Sequence, residues 1–103
     1  MNIFKQLFGG SVPVNLQEII DEGAFLVDVR SSGEFAQGHV DGSVNIPLDT
    51  VQSHLAQFKD KKNIIVFCRS GNRSGQAKVI LQQNGFSNVV NGGSWEDVKQ
   101  YIK

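Results

Sequence analysis

The chain has 103 residues, 40% of them hydrophobic, and its ten lysines and arginines balance ten aspartates and glutamates. This length suits one domain, and the charge balance argues against a general nucleic-acid or anionic-membrane surface, since both need a clustered positive excess. No apolar run approaches the ~18 residues of a membrane span. Because a single cysteine permits no internal disulfide, we expect a cytoplasmic protein.

The first eleven residues predict an amphipathic extension, and residues 12–103 a single domain. Four apolar residues of the extension have helical spacing, but the segment is too short for a secretory signal. It could be a turn packed on the domain or a weak docking element. We favour the first, because so few apolar residues bind membranes poorly. The four residues are Ile3, Phe4, Leu7 and Phe8.

Helices and strands alternate through the first half of the domain. Asn15 is a good N-cap with Glu18 three residues later, and Gly23 is a natural stop, so a short helix is predicted between them. The apolar run Phe25–Val29 predicts a strand buried on both faces. A further short strand is closed by Pro47. Residues 48–58 then carry one apolar helical face, formed by Leu48, Val51, Leu55 and Phe58.

The alternation continues in the second half. Asn63–Phe67 predicts the clearest strand, and a helix is expected to begin near Ser74 and to stop at Gly85. Its buried face would contain Ala77, Ile80 and Leu81. After a short strand, "NVV", the segment "NGG" is predicted to turn the chain. Ser94 is then expected to cap a last helix, with Asp97 as its capping partner.

This order of elements predicts an α/β fold. Strands that alternate with helices in so short a chain favour an open, doubly wound parallel sheet of about four to five strands, with helices on both faces. The connections should be right-handed crossovers. In such a fold, ligands bind at the carboxyl ends of the strands.

The only cysteine, Cys68, lies at that end of the clearest strand. The following residues, "RSGNR", can curl so that backbone N–H groups point inward, and the next helix adds the positive end of its dipole. Gly71 permits the tight turn, while Arg69 and Arg73 add positive charge. This setting should lower the pKa of the thiol and favour the reactive thiolate.

A buried core residue is the alternative interpretation of Cys68, because a lone cysteine beside an apolar run usually has that role. Such a residue, however, gains nothing from two arginines and a glycine turn. No metal site is expected, since His39 and His54 are distant in sequence and lack ligand spacing. No cofactor is expected either.

Three motifs resemble those of the rhodanese-like sulfurtransferases. "CRSGNR" resembles the family's six-residue active-site loop, which precedes a helix. "DVRSSGEFAQGHVDGSVNIP", from Asp28 to Pro47, is similar to an upstream family signature, and "NGG", Asn91–Gly93, is the third match. One departure is Trp95, which stands nearer the two glycines than the tryptophan of many members.

The resemblance implies a rhodanese-like fold and sulfur transfer. Cys68 would attack the outer sulfur of an anionic donor, thiosulfate or a persulfide, and become a persulfide. A thiol acceptor, possibly on a protein, or cyanide would then take the sulfur. The chain would act as a monomer. The residues that would bind the persulfide are Arg69, Ser70, Gly71, Asn72, Arg73 and Ser74.

Four upstream residues are given supporting or structural roles. Asp28 and Arg30 would orient the loop or form the mouth of the site, and a salt bridge between them is favoured over direct chemistry. Glu34 and His39 are interpreted as structural residues that bond loop backbone.

Two other functions remain open. A cysteine-dependent phosphatase or arsenate reductase also places a thiolate before a helix, but its arginine stands six residues after the cysteine, where this chain has Ser74. A module that carries a persulfide, or binds a partner, without turnover would use the same loop. The intact loop favours an enzyme, because function is argued from the site and not from the fold.

Overall fold

A computed structural model describes residues 15–102 of the protein. Its centre is one sheet of four parallel strands in the order β2-β1-β3-β4. The predicted extension over residues 1–11 and the predicted domain start at residue 12 lie outside the described residues. The strands are β1 (Phe25–Asp28), β2 (Val44–Asn45), β3 (Ile64–Cys68) and β4 (Val89–Ser94).

Helices cover both faces of the sheet, which confirms the predicted α/β architecture. Asn15 and Ser94 cap the first and last helices as predicted, each accepting a backbone hydrogen bond from the residue three positions later. The helices are α1 (Leu16–Glu22), α2 (Ser32–Ala36), a 3₁₀ helix (Leu48–Phe58), α3 (Asn72–Gln83) and α4 (Trp95–Lys99). Among residues 15–102, none of these helices is long and apolar enough to cross a membrane.

The alternation of side chains along β3 divides the core into two layers. Ile64, Val66 and Cys68 belong to one cluster, which the 3₁₀ helix and α3 cover. Ile65 and Phe67 belong to the other, which α1 and α4 cover. All five residues of β3 are buried. The pleat therefore directs the sulfur of Cys68 towards α3.

The sheet has its topological switch between β1 and β3. From β1 the chain moves outward to β2, and it then returns to the other side of β1 to form β3. The two central strands are paired so that Asp28 lies opposite Phe67, next to Cys68. The carboxyl ends of β1 and β3 thus form the crevice in which this class of sheet binds ligands.

Two helices differ from the sequence-based expectations. The helix expected near Ser74 begins at Asn72, because Gly71 adopts a left-handed conformation (φ 95°) and acts as its N-cap. Residues 48–58 form a 3₁₀ helix with a kink at His54. There the hydroxyls of Thr50 and Ser53 donate to carbonyls three residues earlier, which favours the tighter winding.

Helix α2 was not predicted, although the sequence carries its signal. Ser31 and Glu34 form a reciprocal capping box, in which each side chain accepts a hydrogen bond from the other residue's backbone. This is the S-x-x-E pattern of a helix start. Since α2 holds only five residues, its apolar periodicity is too short to be recognised.

The segment "NGG" does not turn the chain as predicted but forms a bulge within β4. Val66 pairs with Asn91 and Phe67 with Gly93, so Gly92 is the extra residue. A Cβ atom on Gly92 would lie 2.8 Å from Ile65 Cγ2 and 2.9 Å from Val98 Cγ2. The close approach of β3 and α4 therefore requires glycine at this position.

We expect Gly92→Ala to lower the free energy of unfolding by about 1–3 kcal/mol, because the added methyl must displace two buried side chains. Urea denaturation at neutral pH measures this loss. Gly33→Ala is the matched control, since a Cβ there meets nothing within 4 Å and alanine favours the helix. Equal stabilities of the two variants would contradict the packing argument.

Candidate active site

The candidate site is the loop that joins β3 to α3. Cys68 ends β3, α3 begins at Asn72, and only Arg69, Ser70 and Gly71 lie between them. Because β3 is paired with strands on both sides, the position of the cysteine backbone is closely constrained. The sulfur lies at the floor of the loop, and Cys68 is only 1% exposed.

Backbone N–H groups converge on the sulfur. The N–H of Gly71 donates to Cys68 Sγ at 3.0 Å, and the N–H of Ser74 at 3.4 Å. The Ser74 hydroxyl oxygen lies 3.5 Å from the same sulfur. The left-handed conformation of Gly71 reverses the chain sharply enough for its own N–H to point back at the strand end. These donors form a cradle for negative charge on sulfur.

Opposing effects set the pKa of the Cys68 thiol, and the net result lies below its ordinary value. Burial, the largest effect, raises the pKa because it disfavours the charged form. The N–H groups of Ser74, Ser70 and Gly71 lower it, as does the Ser74 hydroxyl when its proton points at the sulfur, and together they outweigh burial. The positive end of the α3 dipole acts in the same direction. The thiol is therefore suited to nucleophilic chemistry.

Arg73 is held by an acidic residue that sequence reasoning did not pair with it. Its guanidinium donates to both carboxylate oxygens of Glu34, at 2.7 and 3.1 Å. The hydrogen bond from Arg73, followed by that from the Ser31 backbone, holds the pKa of Glu34 at about 2, against an ordinary 4.5. The pair fastens α2 to the first turn of α3 and compensates the charge of Arg73.

Asp28 and Arg30 form a second, fully buried ion pair. The Asp28 carboxylate accepts from the backbone N–H of Arg30 at 2.9 Å and from its guanidinium at 2.7 Å. Arg30 also donates to the carbonyl of Gly38 at 2.7 Å and lies 4.6 Å from the centre of the Trp95 ring. The pair thus links β1, the segment after α2 and the start of α4.

A cavity of about 440 Å³ opens over the loop. Arg69 and Ser70 of the loop line this cavity. The Asn72 side chain instead accepts a hydrogen bond from Gln76 within α3. His39 is exposed and stacks on Phe35, and it does not line the cavity. The lining residues are Arg30, Glu34, Gln37, Gly38, Arg69, Ser70, Trp95 and Glu96.

The structure brings most of the sequence-predicted site residues to one end of the sheet. The sequence did not predict the roles of two polar residues in the site. Glu34 binds Arg73, and Asn91 contacts Ser74 at 2.7 Å. The capping pattern and the "NGG" motif marked both positions, but neither pattern indicates a partner distant in sequence. Residues 15–102 contain no cluster of three acidic, histidine or cysteine side chains that could ligate a metal.

We expect Glu34→Gln to reduce the free energy of unfolding at neutral pH by about 0.5–1 kcal/mol, as befits a partly exposed ion pair. Glutamine preserves the capping contact, so the change isolates the charge. Because the folded pKa of Glu34 is depressed, its contribution is present above about 4.5 and is lost as pH falls towards about 2.

Urea denaturation of the parent and of Glu34→Gln over this pH range measures the effect. Glu22→Gln, at an exposed position in α1, serves as the control. The difference between the parent and Glu34→Gln should shrink on acidification. A difference independent of pH would refute the assignment to charge.

Comparisons with known proteins agree with this geometry. The Rhodanese-like domain family matches residues 12–100. The thiosulfate sulfurtransferase PspE of Escherichia coli (strain K12) is 40% identical over 74 residues, which cover 70% of this chain and 71% of that protein. A putative sulfur carrier protein, YrkF of Bacillus subtilis (strain 168), is 34% identical over 71 residues, 69% of this chain but 38% of that protein.

A solved structure described as a rhodanese with anions from E. coli superposes with a TM-score of 0.66 at 39% identity. The match covers 73% of this chain and 91% of that one. The resemblance inferred from three sequence motifs is thereby confirmed, and so is the α/β fold that it implied. The chain belongs to the rhodanese-like domain family, which includes a thiosulfate sulfurtransferase.

Proposed function

We propose that the protein transfers a sulfane sulfur from thiosulfate or a persulfide to an acceptor thiol, through a persulfide on Cys68. The observation that carries the proposal is the convergence of the Gly71 and Ser74 N–H groups on Cys68 Sγ. Preorganised donors of this kind stabilise an anionic sulfur both before and after the transfer. The family relationship to a named thiosulfate sulfurtransferase supports the same reaction.

The first half-reaction loads the enzyme. The Cys68 thiolate attacks the outer sulfur of thiosulfate, a new S–S bond forms, and the original S–S bond breaks. Sulfite leaves with the electron pair of that bond, and Cys68 retains the outer sulfur as a persulfide anion. The loop N–H groups, which face the thiolate beforehand, are positioned to solvate the charge on the added sulfur.

The second half-reaction unloads it. An acceptor thiolate attacks the outer sulfur, the bond to Cys68 breaks, and the Cys68 thiolate departs with the electron pair. Cys68 is the only cysteine of this sequence. The acceptor is therefore an external thiol or cyanide, and the 440 Å³ cavity is the route by which it reaches the loop.

The arrangement of charge favours a small anionic donor. Arg30 is paired with Asp28, and Arg73 with Glu34. Within residues 15–102, Arg69 forms no ion pair of this kind, and it lines the cavity above the loop. Arg69 is thus the loop cation that remains to attract the donor, rather than the two arginines expected from the sequence.

A persulfide carrier is the second candidate, and the relative named as a putative sulfur carrier favours it. The loop would serve a carrier equally well, so turnover is the distinguishing property. A phosphatase is disfavoured because Ser74 stands six residues after Cys68, where its arginine would be. The neighbouring Arg73 already binds the Glu34 carboxylate with both guanidinium nitrogens, which compensates the charge that an oxyanion would need.

Incubation with thiosulfate should add one sulfur atom to the parent protein and none to Cys68→Ser, because serine cannot form a persulfide. Intact-mass spectrometry detects the adduct, and added cyanide or a small thiol should remove it. Repeated cycles with excess donor and thiol would show turnover. Loading without turnover would favour the carrier, while absence of loading by either thiosulfate or a persulfide would refute the proposal.

Arg69→Gln should raise KM for thiosulfate about three- to tenfold with little change in kcat, since the charge contributes to binding of the donor anion rather than to the reacting bond. Steady-state thiocyanate formation measures both constants. Lys62→Gln, an exposed cation outside the cavity, is the control and should leave KM unchanged. An unaltered KM in Arg69→Gln would remove this residue from the donor site.

A further inference from the structure

The side chain of Asn91 makes three polar contacts beside the cysteine loop. Its Nδ2 donates to the carbonyl of Gly71 at 3.1 Å. Its Oδ1 accepts from the N–H of Gly93 at 2.9 Å and lies 2.7 Å from the Ser74 hydroxyl oxygen. Asn91 lies on the same face of β4 as Val89, the face covered by α3, so its side chain reaches the first turn of that helix.

Two of these contacts distinguish the oxygen of the Asn91 amide from its nitrogen. The Gly93 N–H can only donate and the Gly71 carbonyl can only accept, so Oδ1 faces Gly93 and Nδ2 faces Gly71. The Ser74 hydroxyl has a single proton. With the amide held in this orientation, Ser74 directs that proton to Asn91 Oδ1 at 2.7 Å.

The sulfur therefore faces an oxygen lone pair of Ser74 at 3.5 Å. This arrangement suits a protonated Cys68, whose S–H can donate to Ser74. It does not suit the thiolate, which requires a donor. For the hydroxyl to stabilise the thiolate, Ser74 must rotate its proton away from Asn91 and lose a hydrogen bond of ordinary strength. Asn91 and Cys68 thus compete for one proton.

We infer that Asn91 is a positioning residue that, through Ser74, favours the thiol form of Cys68 and limits the thiolate population of the resting protein. The inference gains its functional meaning from the proposed role of Cys68 as nucleophile. The Ser74 hydroxyl keeps its proton and only rotates, and the proton that leaves the Cys68 thiol goes to solvent. An apolar residue in place of Asn91 would leave Ser74 free to donate to sulfur.

Charged groups also surround this site and must stay constant in a test. Arg69 comes from the loop and Arg73 from α3, and the latter is paired with Glu34 of α2. Asp28 and Arg30 at the end of β1 form a pair of their own. Asn91→Ala and Ser74→Ala change no charge. A shift in thiol reactivity in these variants therefore reports hydrogen bonding.

The test is a double-mutant cycle on the pH dependence of Cys68 alkylation by iodoacetamide. It compares the parent, Asn91→Ala, Ser74→Ala and the double variant. Asn91→Ala also removes the contact with Gly71, but this loss occurs both with Ser74 and with Ser74→Ala, so it cancels in the cycle. Ser74→Ala retains the backbone N–H that donates to sulfur, and alanine is compatible with the helix.

When Ser74 is present, Asn91→Ala should shift the midpoint of the alkylation rate profile to lower pH. This shift should exceed the one that Asn91→Ala causes in the Ser74→Ala background. Below the midpoint, Asn91→Ala should accelerate alkylation by a factor about two- to fivefold larger with Ser74 than with Ser74→Ala. One ordinary hydrogen bond allows this difference, once the lower nucleophilicity of a more acidic thiol is included. Equal effects in both arms, or a shift to higher pH with Ser74 present, would overturn the inference.

Asn91→Asp provides a second cycle if Asn91→Ala does not fold. Its added charge acts in both the Ser74 and the Ser74→Ala backgrounds and cancels in the cycle. Its carboxylate also accepts the Ser74 proton more strongly, so the midpoint should rise by more in the presence of Ser74 than in Ser74→Ala. Equal rises would overturn the inference. Alkylation needs no sulfur donor, so this test is independent of sulfur transfer. Coupling without persulfide formation would refute the proposed function alone, and persulfide formation without coupling would refute this inference alone.

Discussion

The hydrogen bonds from Gly71 and Ser74 to the sulfur of Cys68 require a strand and a helix to meet with only three residues between them. A longer connection would let the loop backbone turn away, and the N–H groups would then be satisfied by water. The constraint is met because Cys68 faces the same layer of the core that α3 covers. Packing of α3 on β3 and solvation of the sulfur are therefore one structural requirement.

Local charge compensation distinguishes the arginines of this site from one another. The buried pair Asp28–Arg30 and the half-exposed pair Glu34–Arg73 connect the loop to β1 and α2. A buried pair of this kind contributes little net stability, but removal of one partner leaves an unpaired charge and is costly. These arginines consequently shape the site, while in the proposed function the attraction of an anion depends on Arg69 and on backbone N–H groups.

The bulge in β4 serves two different neighbours. On one side, Gly92 allows Ile65 and Val98 to approach the backbone closely. On the other, Asn91 reaches the carbonyl of Gly71 and the hydroxyl of Ser74. Alternation along the strand directs Asn91 and Gly92 to opposite faces of the sheet, so two adjacent residues supply both contacts. The edge strand thus supports the loop through the hydrogen bonds of Asn91.

Local patterns in the sequence are enough to predict the fold class, the central strand and the position of the thiol. These follow from local patterns: the apolar run before Cys68, the helix caps at Asn15 and Ser94, and the small, cationic residues after the cysteine. Such patterns act over a few neighbouring residues, so they can be recognised in one dimension. The family motifs added the reaction class, since they combine three such segments in a set order.

The partners of the polar side chains, by contrast, depend on the three-dimensional arrangement of the elements. Glu34 and Arg73 are 39 residues apart, and Ser74 and Asn91 are 17 apart. No periodicity links such positions; the crossovers of the sheet bring them together. The bulge at Gly92 was likewise decided by close packing against β3 and α4, because contact between distant segments overrides local preference.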